Sequence, residues 1–186
     1  MLEKGVDPLE AISKLTETAR EIGDRYGRYE IFLADLIAAS EALMAGMKVL
    51  GSEMPGGEAP KIGKVLIGTV KGDIHEIGKN VVATMLTASG FQVYDIGYDV
   101  AHTAFAEAAE RNDAQIVAAS ALMSTTMPML REIVDYLKAT GVRESYKVMV
   151  GGGPVTNEYA REIGADGYAP DASGAAKLAQ ELVTRR

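Results

Sequence analysis

The sequence predicts an α/β protein, an N-terminal helical module followed by a parallel five-stranded sheet with helices on both faces. Two observations predict it. Over the first fifty residues, apolar side chains recur at three- and four-residue steps, the period of helices with a buried face. Beyond about residue 62, short runs rich in β-branched residues alternate with helical stretches, the signature of parallel strands joined by crossover helices.

The first helix begins at Pro8 and carries Leu9, Ile12, Leu15, Ala19 and Ile22 on one face. Gly23 and Gly27 mark a turn around Tyr26. A second helix runs from about Tyr29 to Leu50, with Ile31, Leu33, Leu36, Ile37, Leu43, Met44 and Met47 expected to be largely buried. Two such helices cannot hide their apolar stripes alone, so they must pack on another layer. Residues 51–61 (GSEMPGGEAPK) lack periodicity and read as an exposed linker. The expected division is therefore a helical module at 1–50, a linker at 51–61 and an α/β domain at 62–186.

Within that domain the expected strands are 63–70, 91–96, 115–120, 146–151 and 166–169. Helices are expected at 77–90, 102–112, 127–140, 155–163 and 171–185. Five such units suggest a Rossmann- or flavodoxin-like, doubly wound order, in which ligands bind outside the carboxyl ends of the strands. That rule singles out the loops 71–78, 97–101, 120–126 and 151–155.

Composition narrows the chemistry. The net charge of −7 provides no basic face for phosphate neutralisation, so no nucleic acid is expected as partner. No apolar run is long enough to span a bilayer, and the N-terminus lacks the pattern of a signal peptide. No membrane partner and a cytoplasmic location are expected. Cysteine is absent, which excludes disulfides, thiolate metal ligands and Cys nucleophiles together. Imidazole chemistry must fall on His75 or His102, the two histidines. His102, at the start of a helix, reads as a surface residue. The methionines, Met44, Met47, Met54, Met123, Met127 and Met129 among them, read as core packing.

The first loop is Lys71-Gly72-Asp73-Ile74-His75-Glu76-Ile77-Gly78. Asp73 and His75 stand two apart in irregular backbone, so their side chains can converge. A carboxylate bonded to one imidazole nitrogen fixes the tautomer and makes the other nitrogen a better metal donor. Gly78 opens the next helix with no side chain to obstruct a bulky planar ligand. Taken alone, the pair also reads as a solvated surface contact. A phosphate-binding loop is nearly written in Gly72…Gly78-Lys79, but the glycine spacing is one too long and Asn80 stands where Ser or Thr would hold Mg²⁺. No G-x-G-x-x-G follows the first strand, so a dinucleotide fingerprint is absent too.

These loops resemble the cobalamin-binding domain of corrinoid methyl-transfer proteins and methionine synthase. That family carries D-x-H-x-x-G, then S-x-L, then G-G. Here Asp73-Ile74-His75-Glu76-Ile77-Gly78 is complete, Ser120-Ala121-Leu122 follows at the family's spacing, and Gly151-Gly152 follows that. The three blocks fall at the ends of expected strands one, three and four. The resemblance implies a bound cobalamin, methylcobalamin or a related corrinoid, with His75 as the lower ligand to cobalt in place of the cofactor's own base. Asp73 would accept a hydrogen bond from His75, and Thr126 would complete a relay, a role that Ser124 or Thr125 could also fill. Ser120 and Leu122 would line the pocket for the displaced nucleotide tail. Gly151, Gly152 and Gly153 would let backbone approach it, although Gly-Gly-Gly-Pro is also an ordinary tight turn. Gly97-Tyr98-Asp99-Val100 matches the loop that edges the corrin ring, and backbone contacts are expected there.

The N-terminal half resembles the helical cap module of the same proteins, through Gly27-Arg28-Tyr29-Glu30…Leu33…Ala38. The resemblance then implies a carrier of methyl groups on cobalt rather than a complete catalyst. Its implied partners are a substrate-specific methyltransferase, a second methyltransferase using tetrahydrofolate or coenzyme M, and a reductive activating protein. The resemblance leaves the methyl donor open among methoxylated aromatics, methanol, methylamines and quaternary amines, with O-demethylation favoured on overall resemblance only. The alternatives are the small subunit of an adenosylcobalamin-dependent mutase, which usually lacks the helical pair, and a cobalamin-binding sensor or regulator. A receiver-type phosphoacceptor domain would need an Asp at the end of strand three, where Ser120 stands.

Overall fold

The structure is a computed structural model that describes residues 8–52 and 61–184. Helices α1 (Pro8–Gly27) and α2 (Leu33–Ser52) form a hairpin. The α/β part follows as β1 (Lys64–Thr69), α3 (Ile77–Ala88), β2 (Gln92–Asp95), α4 (His102–Arg111) and β3 (Ile116–Ser120). It continues through α5 (Pro128–Ala139), a 3-10 turn (Arg143–Ser145), β4 (Lys147–Gly151), α6 (Asn157–Ile163), β5 (Gly167–Tyr168) and α7 (Ala172–Thr184). All strand pairs are parallel, in the order β2-β1-β3-β4-β5. This is the flavodoxin-like order expected from the sequence, with its switch point between β1 and β3. Among the described residues no helix is long and apolar enough to cross a membrane.

The sheet is covered on both faces. Leu66, Val117, Val148 and Val150 face α4, α5 and α6 across a packed core with Phe105, Leu130 and Ile133. Val65, Ile67, Ile116, Ala118 and Met149 face α3 and α7 with Leu86, Phe91 and Ala179. On this second side Ala118, Ala169 and Ala175 border a cavity.

The helical hairpin has its own small core of Ala11, Ile12, Leu43, Met47 and Leu50. Its second buried stripe docks on the α3/α7 side, where fully buried Leu36 meets Met85, Ala88, Ala172 and Ala176. Two expectations for this hairpin change. Gly23 does not end α1 but lies inside it, because an added Cβ would stand 2.8 Å from Met85 Sδ of α3, so the helices cross closely there. Ile37 and Met44 are exposed rather than buried, since each sits about 100° around α2 from buried Leu36 and Leu43. The linker expected at 51–61 falls mostly outside the described residues, as does Met54; the chain is helical through Ser52.

Leu36→Ala is expected to lower the unfolding free energy by about 2–4 kcal/mol, as read from urea denaturation. Ile37→Ala, one residue on, should change it by less than about 0.5 kcal/mol.

Candidate functional site

The site forms where the loops after β1 and β3 diverge. Leaving β1, the chain keeps one more sheet contact, Val70 N–H to Ser120 O at 3.0 Å, and then turns at Gly72. The turn closes with Asp73 N–H donating to Val70 O at 3.1 Å, which drives the Asp73 side chain beneath the loop. Thr69 Oγ1 donates to His75 O at 2.9 Å and pins the other end.

Asp73 is fully buried. Its Oδ1 accepts from His75 N–H at 3.1 Å and His75 Nδ1 at 2.7 Å. Its Oδ2 accepts from Leu122 N–H at 2.7 Å, Met123 N–H at 3.3 Å and Thr126 Oγ1 at 2.8 Å. Burial pushes the carboxyl up, but the hydrogen bonds from Thr126, His75 and the Leu122 amide outweigh it. They hold Asp73 well below the usual carboxylate range. It is therefore ionised at neutral pH and acceptor-only, so the proton of the neutral imidazole sits on Nδ1. The Nε2 lone pair then points away from the carboxylate with no protein partner among the described residues.

His75 is half-exposed and lies on the wall of a cavity of about 510 Å³. The cavity runs from the strand ends into the α3/α7 side of the sheet, between Ile67, Ala118 and Met149 of the strands, Val82 of α3 and Ala175 of α7. Gly78 opens onto it with nothing within 4 Å of an added Cβ. Around His75, Ile74, Ile77, Tyr98 and Leu122 stand exposed, an unusual concentration of apolar side chains on a surface.

Of the residues singled out from sequence, His75, Gly78, Ser120, Leu122, Gly151, Gly152 and Gly153 line this cavity. Gly152 adopts φ +124, and an added Cβ would stand 1.9 Å from Ala121 O, so the β3 and β4 loops touch through it. Asp73 and Thr126 lie behind His75 instead of on the cavity wall. Thr126 is the hydroxyl that reaches Asp73; Ser124 and Thr125 are exposed. Ile74, Glu76, Ile77, Gly97 and Tyr98 do not line the cavity; Ile77 is the first residue of α3 and the others lie on the loops after β1 and β2. His102 is not part of the site: it pairs with Glu132 at 3.3 Å and packs on Tyr136.

Sequence reasoning missed two walls. One is the β5–α7 loop, Ala169 to Ser173, which the rule of strand carboxyl ends would have found had it been applied to the fifth strand. The other is the end of α1 and the turn after it, through Tyr26, Gly27 and Tyr29. The stretch Gly27-Arg28-Tyr29-Glu30 carried the resemblance to a cap module, but which of its residues reach the cavity depends on how the hairpin docks.

Chemically, the arrangement offers one activated nitrogen in an apolar collar above a deep pocket. Among the described residues, no three His, Cys, Asp or Glu side chains gather to hold a bare metal ion. The site offers a single nitrogen donor beside a cavity large enough for a sizeable organic group.

Asp73 contributes stability with a definite pH profile. Its folded-state pKa lies below the unfolded value of about 3.9, so the contribution is complete above that value and is lost as pH falls through the folded one. Asp73→Asn should therefore cost about 2–4 kcal/mol at pH 7. Urea melts of both proteins should show that gap narrowing below about pH 4.

The chain is similar to known proteins. The chain matches the family described as B12 binding domain over residues 63–177, and a second family of the same description over residues 1–50. Dimethylamine corrinoid protein 1 of Methanosarcina mazei is 44% identical over 96% of this chain and 83% of its own length. Trimethylamine corrinoid protein 2 of the same organism is 46% identical over 94% of this chain and 81% of its own. The crystal structure of the methanol:cobalamin methyltransferase complex MtaBC from Methanosarcina barkeri aligns with a TM-score of 0.87 at 28% identity. That alignment covers 100% of this chain and 71% of the other. The chain belongs to the B12 binding family, and it is a cobalamin-binding corrinoid protein.

Proposed function

We propose that this protein carries a methyl group on its corrinoid between two methyltransferases, with His75 Nε2 as the lower axial ligand to cobalt. The observation that carries the reading is the Asp73–His75 pair, which holds one unpartnered imidazole nitrogen on the wall of a 510 Å³ cavity. The residues present fit the group. A corrinoid would bring its own nitrogen ligands, which agrees with a site that offers the single donor His75 Nε2. The exposed collar of Ile74, Ile77, Tyr98 and Leu122 suits an apolar macrocycle, and the cavity behind it suits the nucleotide tail.

When bound, the corrinoid supplies the cobalt that accepts and gives up the methyl group. The chain does the rest by position. Asp73 keeps the His75 proton on Nδ1 and raises the donor strength of Nε2. Thr126 Oγ1 and the Leu122 amide keep Asp73 ionised. Glu76 follows His75 on the same loop and would stand beside the bound group. Gly78 leaves the cavity floor open, and Ser120, Gly151, Gly152 and Gly153 line the part that would take the tail. Tyr26 and Tyr29 bring the helical hairpin to the same cavity, a placement suited to excluding water from the bound group.

The relatives are named for dimethylamine and trimethylamine and the structural neighbour for methanol, which favours a small methylated amine or alcohol as donor over a methoxylated aromatic. A substrate-specific methyltransferase is the proposed first partner, since the neighbour is seen in a complex with that activity. The second methyltransferase, acting on tetrahydrofolate or coenzyme M, and a reductive activating protein complete the proposed system.

Reconstitution with methylcobalamin should give a histidine-on visible spectrum in the wild type and a base-off spectrum in His75→Ala. Identical spectra would overturn His75 ligation. Gly78→Leu separates binding from folding. Its side chain meets no protein atom near Cβ, so thermal stability should hold within a few degrees while cobalamin affinity drops at least about tenfold.

A further inference from the structure

The geometry points to Asp99 as a positioning residue for the axial histidine, acting across the gap between the loops after β2 and β1. This rests on the proposed ligation by His75 and adds to it a residue that belongs to none of the three sequence blocks.

Asp99 is one of three described non-glycine residues with a left-handed backbone, at φ 55. Such a conformation in a residue with a Cβ persists when surrounding contacts over-determine it. Here they come from both its backbone and its side chain. Asp99 N–H donates to Asp73 O at 3.0 Å, so the peptide unit that follows the key carboxylate is held from the side of β2. Asp99 Oδ1 accepts from Gly72 N–H at 2.8 Å, and Oδ2 pairs with Lys71 Nζ at 3.0 Å. A single residue thus grips the chain at Lys71, Gly72 and Asp73, immediately before His75.

The grip has a firm base. The next residue is stitched to the sheet, with Val100 N–H donating to Thr69 O at 3.0 Å and Val100 bridging to Val70. On the other side, Asp95 Oδ1 accepts from Gly97 N–H at 2.8 Å, while Asp95 Oδ2 takes the ammonium of buried Lys79 from the first turn of α3. The segment 95–100 is therefore a strap fixed at both ends, and Asp99 is its point of attachment to the ligand loop. The consequence is preorganisation: His75 is held ready instead of being drawn into place when cobalt binds.

Three variants test this. Asp99→Asn keeps an oxygen acceptor for Gly72 N–H and tolerates the left-handed backbone. Asp99→Gly relieves the backbone and removes the acceptor, so backbone strain does not confuse the result. Lys71→Ala removes only the exposed ion-pair partner. In the cofactor-free protein, amide hydrogen exchange of segment 70–77 should rise about tenfold or more in Asp99→Gly while α5 stays unchanged. Asp99→Asn and Lys71→Ala should stay near wild type.

After reconstitution with methylcobalamin, Asp99→Gly should retain the cofactor through the tail pocket but show a histidine-on to histidine-off ratio about tenfold lower. Asp99→Asn should restore most of it. Unchanged exchange in Asp99→Gly would overturn the positioning role whatever the cofactor does. Raised exchange with a wild-type histidine-on ratio would overturn its bearing on cobalt. Raised exchange in the variant, beside a wild type that shows no histidine-on spectrum, would sink His75 ligation and this inference with it, leaving only the strap.

Discussion

A buried carboxylate cannot stay ionised without enough donors, and the loops of this protein are arranged around meeting that demand for Asp73. Its charge has no solvent, and five donors from two loops converge on its two oxygens. Removing any one leaves a charge in low dielectric with a vacant lone pair. The β1 and β3 loops are therefore coupled through a single side chain. Because one of the five donors is the His75 ring, the same coupling orients the imidazole and directs Nε2 outwards. Structure and function are not separable at this residue.

The cavity has a different origin, in what the sheet lacks. Both faces of the sheet carry alanines as well as larger side chains, but on the α3/α7 side Ala118, Ala169, Ala172 and Ala175 border open space between the strands and the helices. Close-packed interiors do not leave such space by accident, because unfilled volume forfeits dispersion contacts. A ligand buried in the space would restore them. The helical hairpin docks on this same side through Leu36, which brings Tyr26 and Tyr29 to the cavity.

Much of this was legible in the chain. Strand positions followed from continuous apolar runs, and their parallel order from the alternation with helices. Spacing permitted the Asp73–His75 pair but left a solvated surface contact equally open, and it was the resemblance of the whole loop that pointed to the pair the structure shows. The hairpin was less legible. α2 is apolar on most sides, so its sequence does not say which flank is buried, and Ile37 and Met44 were placed on the wrong one. Gly23 reads as a terminator in one dimension and is a helix-crossing point in three.

What the sequence determined by itself is whatever depends on local period and local spacing: the element types, the parallel sheet and the ligand loop with its carboxylate. What the tertiary structure decided depends on residues far apart in the chain. It chose Thr126 over Ser124 and Thr125, because only that hydroxyl falls within reach of Asp73 from the far loop. It brought α1 and the β5–α7 loop to the cavity, and it attached Asp99 to the loop of His75. Hydrogen bonds act over about 3 Å, and no linear pattern encodes which of many polar residues will finish that close.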